Sequence, residues 1–291
     1  MPTFDTPTPI SITVDLVVGD LRVTASERRD TVVDVRPSDP TKQSDIAAAE
    51  QTRVEYANGA LLVKTAKSWR QFGPRKGADS VDIVIGVPAG SQLHATGGIA
   101  SLHCTGRLGE CDYNAGVGDA QVTEAAPVAI RVGVGDIAVD RTSRHADIKT
   151  GSGTVRIGTI AGTAVVRNTN GDTWIGEVSD DVRVSSANGR IVIDRAGATV
   201  AAKTARGDIR IGEVQRGAIV ANTSMGAVDI GILEGVAAWL DLNTSFGTVA
   251  NALDAATKPE DGADQVEVRA RTSFGDIRIH RAVAAAAGVA S

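Results

Sequence analysis

On both sides of a recurring glycine, apolar and polar side chains alternate with a period of two. Two places after the glycine stand Ile137, Val155, Thr173, Ile191, Ile209, Val228, Val249 and Ile277. Four places after it stand Val139, Ile157, Ile175, Ile193, Ile211, Ile230, Asn251 and Ile279. Five places before it come Ile148, Val166, Val184, Ala202, Ala221, Leu242 and Ala270, and the residues between these columns are mostly polar or charged. Alternation of this kind is the pattern of half-buried strands and not of helices. The apolar positions favour β-branched side chains, which suit a pleated surface.

The glycine itself keeps a beat. It stands at Gly118, Gly135, Gly153, Gly171, Gly189, Gly207, Gly226, Gly247 and Gly275, with gaps of 17, 18, 18, 18, 18, 19, 21 and 28 residues. A fixed period of this size means one supersecondary unit stacked on copies of itself. At roughly 3.3 Å per strand residue, such a unit holds two short strands and two corners. The chain is therefore expected to be all-β: a single-stranded, right-handed parallel β-helix (β-solenoid) with coils of about 18 residues and two strands. A second corner is expected at Gly158, Gly176, Gly212 and Gly231, five places after the first, with glycine at both corners supplying positive φ. Three places before the anchor glycine, Thr150, Asn168, Ser186, Thr204, Thr223, Thr244 and Thr272 form a polar column placed to bond neighbouring turn backbones.

The first hundred residues follow the same grammar less strictly. Gly19-Asp20-Leu21-Arg22-Val23 repeats the phrase after the alternating run Ile10 to Val18, and Asn58-Gly59-Ala60-Leu61 reads as a second, imperfect copy. Pro37 to Glu50, Ser68 to Asp79 and Asp254 to Asp264 break the pattern and read as loops or insertions. One continuous domain over 10–280 is expected, with irregular coils over 10–115, regular repeats over 116–280 and a tail over 281–291. Irregular terminal units suit a solenoid, whose ends must be protected against edge pairing.

The run of T-x-x-G-D-I-x-I units, as in Thr204 to Ile211 and Thr272 to Ile279, resembles a bacterial family of β-strand-repeat proteins of unknown function. Its members are labelled putative adhesins and also called toastrack domains. Val84-Ile85-Gly86-Val87-Pro88-Ala89-Gly90 resembles the family strand that precedes the array. The resemblance covers roughly residues 10 to 280 and implies a right-handed β-helix. It also implies a role in adhesion or envelope-stress sensing, and it carries no catalytic motif with it.

Composition narrows the function classes. A net charge of −5 over 291 residues and a pI near 5.4 provide no general attraction for nucleic acid. No run approaches the roughly 20 apolar residues that span a bilayer. Met1 to Thr6 lacks a basic region followed by an apolar stretch, so with Met1 as native start the expected location is the cytoplasm.

Candidate chemistry is sparse. Arg206-Gly207-Asp208 spells an integrin-binding tripeptide, yet Gly207-Asp208 is the repeat itself. Gly116-Val117-Gly118-Asp119 lacks the lysine and Ser/Thr of a phosphate loop. The aspartates Asp119, Asp136, Asp172, Asp208 and Asp276 are interrupted by Thr154, Arg190, Ala227 and Thr248, and their period is twice that of a calcium-loaded β-roll. Cys104 and Cys111, with His103 and His94 nearby, are open to three readings: ordinary thiols, a disulfide or a metal site. The four histidines are scattered, so neither catalytic residues, cofactor ligands nor metal ligands are assigned.

What remains is the outer surface. The alternation turns Lys149, Arg167, Arg183, Lys203, Arg269 and Arg271 outward before the glycine, and Arg156, Arg190, Arg210 and Arg278 outward after it. Coils stacked about 4.8 Å apart turn these into columns of positive charge. The expected function is a non-enzymatic binding or scaffold module whose docking surface comprises Arg156, Arg167, Trp174, Lys203 and Arg210, for an acidic polymer or protein partner. A solvated charged face is the bland reading of the same residues. Two other functions stand beside it: a cytoplasmic scaffold that self-associates end to end, and a polysaccharide-active β-helix enzyme.

Overall fold

A computed structural model of the protein describes residues 1–66, 79–253 and 265–282. The loop expected over Asp254–Asp264, nearly all of that over Ser68–Asp79, Trp69, and all but two residues of the 281–291 tail lie outside the described residues. The fold is a parallel β-helix. Its contacts group into two compact units, Met1–Gly153 and Thr154–Ser291, and each is built as a stack of rungs.

In the second unit each rung has one strand before the anchor glycine and one after it. Ala164–Asn170 pairs in parallel with Val182–Asn188, and that strand with Val200–Arg206. Thr173–Val178, Ile191–Ala196 and Ile209–Val214 pair in the same order. The register is one residue to its counterpart one repeat later, as in Ile175↔Ile193 and Ile193↔Ile211. Ile157, Ile175, Ile193, Ile211, Ile230 and Ile279 are all fully buried, each at 0% exposure. A side chain so buried stabilises the fold by roughly 1.5–3 kcal/mol relative to an exposed one. The expected strand pattern and core columns are present.

The anchor glycine has two reasons to be glycine. Gly207 sits at φ +141°, and a Cβ there would stand 2.1 Å from the carbonyl oxygen of Gly189 in the rung beside it. L-residues rarely adopt that conformation, and the clash is with backbone, which cannot swing aside. The polar column works as expected in several rungs. Thr204, Thr223 and Thr272 donate their hydroxyls to the carbonyls of Gly189, Gly207 and Gly226 at 3.3, 3.0 and 3.0 Å.

The rungs do not stack in sequence order. Gly217–Met225 pairs with Gln265–Phe274, and only then does Gln265–Phe274 pair with Ala237–Phe246. The Gly275 rung therefore lies between those of Gly226 and Gly247, and the Gly247 rung is outermost. The hydroxyls agree, since Thr272 reaches Gly226 while Thr244 reaches Gly275 at 2.9 Å. The long 28-residue gap spans a return across one rung.

The first unit also departs from sequence order. Strand Ser11–Ser26 lies between Gln92–Arg107 on one side and Ala60–Lys64 with Val81–Pro88 on the other. The first rung in sequence is thus second in space. The rung beyond it is covered by antiparallel strands, Arg53–Ala57 on Ala60–Lys64 and Asp30–Pro37 on Val81–Pro88.

Two expectations need correction. Asn58 and Gly59 have φ of 51° and 76° and turn a two-residue antiparallel hairpin, so they are not a coil corner. The polar stretch from Pro37 to Glu50 is not all loop: Gln43–Glu50 is a helix against the covering strand, where three consecutive alanines favour helix. Its Asp45 is buried and accepts backbone N–H groups of Asp39 and Ser80, each at 3.3 Å. One rung lacks the glycine altogether. In Gln92–Arg107 the register sets Ala100 beside Gly19, at the corner station. The next rung has Ala115 where others have threonine, and there the Tyr113 hydroxyl donates to the Ala100 carbonyl instead.

Candidate functional site

The glycines five places after the anchor are not corners either. Strands Val155–Ile160, Thr173–Val178 and Ile209–Val214 continue through Gly158, Gly176 and Gly212, none of which has positive φ. The strand bends there, and burial moves from every second residue to the third. In the second unit this creates a further core column of Ile160, Val178, Ala196 and Val214, and Ala125 and Thr142 are buried at the same station in the first; it was missed because it is out of phase with the strict alternation. Glycine is required by close approach: a Cβ on Gly176 would lie 2.5 Å from the Gly158 carbonyl oxygen and 3.2 Å from the Trp174 ring.

Trp174 projects from this bend. Its neighbours Thr173 and Ile175 are buried, so the indole turns outward and is 38% exposed. The ladder sets Arg156 and Val192 on either side of it, and Arg210 beyond Val192. Trp174 and Arg210 line one cleft of about 560 Å³, floored by Gly158, Gly176 and Gly212 and bordered by Glu177, Arg195, Glu213 and His280. Arg167 and Lys203 lie in the other ladder, before the glycine, two rungs apart with Ser185 between them. All five docking candidates are exposed. The structure thus brings Arg156, Trp174 and Arg210 together along one ladder and Arg167 and Lys203 along another; Trp174 has Arg156, not Arg167, as its ladder neighbour.

The columns are less uniformly basic than the alternation suggests. Asp229 stands between Arg210 and Arg278, and its carboxylate lies 3.1 Å from His280 Nε2. Arg195 pairs with Glu177 at 3.6 Å, Arg271 with Asp241 at 3.5 Å and Arg269 with Glu267 at 2.6 Å. Exposed pairs of this kind contribute about 0–1 kcal/mol each. Among the described residues Arg156, Lys203 and Arg210 make no ion pair.

The other candidates resolve into structure. Asp119, Asp172, Asp208 and Asp276 each accept the N–H of the equivalent residue one rung on, at 2.8, 2.8, 2.9 and 2.8 Å. The aspartate of the repeated phrase is an inter-rung clasp. Cys104 and Cys111 are free, buried thiols that meet in the core of the first unit. The contact with Cys111 and burial push the Cys104 thiol well above its usual range, the reverse of a reactive thiolate. His103 alternates with buried Cys104, so its imidazole points away from the thiols. No His, Cys, Asp or Glu group among the described residues is arranged to hold a metal ion.

Residues 9–280 match the family model of Toastrack DUF4097. The chain belongs to the toastrack family. Solved structures resembling this toastrack protein include two described as putative adhesins. One is from Bacteroides fragilis, 15% identical with a TM-score of 0.44, covering 79% of this chain and 96% of that one. The other is from Parabacteroides merdae, 16% identical with a TM-score of 0.44, covering 79% and 94%. A third, described as a putative lipid binding protein from Parabacteroides distasonis, is 12% identical with a TM-score of 0.30, covering 94% and 95%. No curated protein matches the chain. Among the described residues no helix is long and apolar enough to cross a membrane.

Proposed function

We propose that this toastrack protein is a non-enzymatic binding module that captures an acidic protein or polymer on the outer face of its second unit. The observation that carries the reading is Trp174, an exposed indole held on a rigid strand between Arg156 and Val192, with Arg210 in the same cleft. Tryptophan and arginine dominate interface energies, and a strand already fixed adds no backbone ordering to the side-chain ordering that binding costs. Within the cleft Glu177 is paired with Arg195 at 3.6 Å, which leaves Arg210 as the cation open to a partner. Arg167 and Lys203 form a second basic patch on the ladder before the glycine, and both patches belong to the docking surface.

The test is capture from source lysate at low and high salt. Replacing Arg156, Arg167, Lys203 and Arg210 with Gln should leave the melting curve intact and abolish capture, since exposed charges contribute little to stability. Capture by the unmodified protein should weaken as salt rises. Dividing the four changes into Arg156 with Arg210 and Arg167 with Lys203 identifies the dominant patch, and the Trp174 side should lose more. Equal capture by unmodified and quadruple-variant proteins would return these residues to a solvated face. A place in an envelope-stress response is the finer form of this reading, and it requires the captured partner to be a membrane sensor or regulator.

A further inference from the structure

The rung Ala237–Asn251 is where the repeat's contacts run out. Its strands Ala237–Phe246 and Val249–Asn251 pair on one side with Gln265–Phe274 and Ile277–Arg281. Among the described residues no strand pairs on the other side, so a ten-residue strand presents a row of free backbone donors and acceptors. Leu240 and Leu242 are only half-buried, whereas the interior residues at the same stations, Val200 and Ala202, are sealed at 0% exposure. Trp239, Phe246 and Val249 are 58%, 67% and 46% exposed, and Phe246 stacks on Phe274 at 4.9 Å. Among the described residues the usual edge protections are missing. The strand has no proline and no lysine, and its one charge, Asp241, is paired with Arg271 at 3.5 Å.

We propose that this rung is a homodimer interface in which strand Ala237–Phe246 pairs antiparallel with its own copy in a second chain. An antiparallel pair exchanges N–H and C=O groups symmetrically, so two identical free edges complement each other about a two-fold axis. Continuation by a parallel rung from another molecule would need a second open edge. Among the described residues the outer rung of the first unit has no open edge of the same kind, since antiparallel strands Arg53–Ala57 and Asp30–Pro37 lie on it. A two-fold contact uses each chain's open rung once and so closes at two chains. Pairing centred on Leu242 keeps Leu240, Leu242 and Thr244 turned to the core side. It sets Trp239 opposite Ser245, and Asp241 opposite Asn243 instead of opposite itself. The rung has 15 residues, 237 to 251. A standard interface uses about 20–30 residues a side to bury ~800 Å² per partner, so this one buries about 500 Å² per partner. That is the range of weak, reversible contacts. The surface is separate from the Trp174 cleft.

The experiment is sedimentation equilibrium of the full chain from about 1 to about 100 µM, a range in which a weak contact shows as a rising mass. The mass should rise with concentration from the 29.9 kDa of one chain to twice that value and stop there. Trp239→Lys with Ser245→Lys puts like charges opposite one another at two symmetry-related places and should weaken the dimer at least about tenfold, with an unchanged melting curve. Trp239→Lys with Ser245→Glu keeps the loss of the indole but makes those places attractive, and should recover dimerisation over the Lys/Lys variant. A mass fixed at one chain throughout would overturn the proposal. So would a dimer indifferent to the Lys/Lys change, and species growing beyond two chains would overturn its two-fold closure.

Discussion

The outermost rungs of the two units both depart from sequence order and are finished differently. Ser11–Ser26 is flanked on both sides by strands formed later in sequence, and Gln265–Arg281 slips inside Ala237–Asn251. In the first unit the outer rung is then roofed by antiparallel strands and a helix, and Leu61, Val63, Ile83 and Ile85 within it are buried at 0–1% exposure. In the second unit the outer rung has no roof among the described residues, and its equivalent side chains stay half-exposed. The sequence of a rung therefore does not decide how much it contributes. An identical pattern is a sealed core when covered on both sides and a sticky edge when covered on one.

The largest test of this contrast is a charge in the core column. Ile193→Asp should cost at least about 4 kcal/mol, because it leaves an unpaired carboxylate between two covered rungs. Leu240→Asp, on the same inner face of the outer rung, should cost only about 1–2 kcal/mol, since water reaches that side chain. Val192→Asp, one residue from Ile193 but turned outward, should fall within about 0.5 kcal/mol of the unmodified protein. Urea denaturation measures all three. Equal costs at 193 and 240 would erase the distinction between covered and uncovered rungs, and equal costs at 192 and 193 would refute the register.

Corner glycines sharpen the same comparison at smaller scale. Gly207→Val should destabilise by about 3 kcal/mol, combining positive φ with a clash against a carbonyl fixed from both sides. A Cβ on Gly247 meets the Gly275 carbonyl at 2.0 Å, but its φ is not in the positive region and its rung can lift away. Gly247→Val should cost about 1 kcal/mol. Thermal melts in which the order reverses would show that the outer rung is held as firmly as an interior one.

The smallest effect is in the clasp between the last two rungs. Asp276 accepts the N–H and hydroxyl of Thr248, both at 2.8 Å, and these bonds hold its carboxyl below the ordinary value of 3.8. A carboxyl depressed in the folded state contributes its stability above the unfolded value and loses it as pH falls through the folded one. Protection of the Thr248 amide, measured against the exchange of a free amide at the same pH, should therefore fall below the ordinary carboxylate range, while that of Ala227, enclosed by rungs on both sides, is kept. Protection at Thr248 that persists undiminished to about pH 2, below the ordinary carboxylate value, would remove Asp276 from the attachment of the outer rung.

Legibility varied with how local the cause was. Ile193 inward and Val192 outward could be read directly, because period-two alternation depends only on the strand around them. Asn58-Gly59 was readable in principle as a two-residue hairpin turn, but its resemblance to the repeated phrase drew it into the coil pattern. Gly176 looked like a second corner because glycine marks both positive φ and close approach, and only the carbonyl of Gly158 beneath it separates the two. Ala100 marked no corner at all; the Tyr113 hydroxyl that serves it lies in the next strand. For the docking residues, exposure was legible while adjacency was not: Arg156 meets Trp174 only because of the ladder register.

The sequence by itself determined the rung: its two strands, its corner glycine, its inward columns and the threonine and aspartate that reach the next rung. All of these follow from spacing within about 18 residues. Tertiary structure alone decided the order of the rungs, which edges are covered and which is left open. Every rung carries the same register cues, so each could dock on almost any other, and nothing in the repeat distinguishes its neighbour in sequence from its neighbour in space. That choice is made where the repeat is interrupted, by connections long enough to skip a rung and by strands, such as Arg53–Ala57, that belong to no rung.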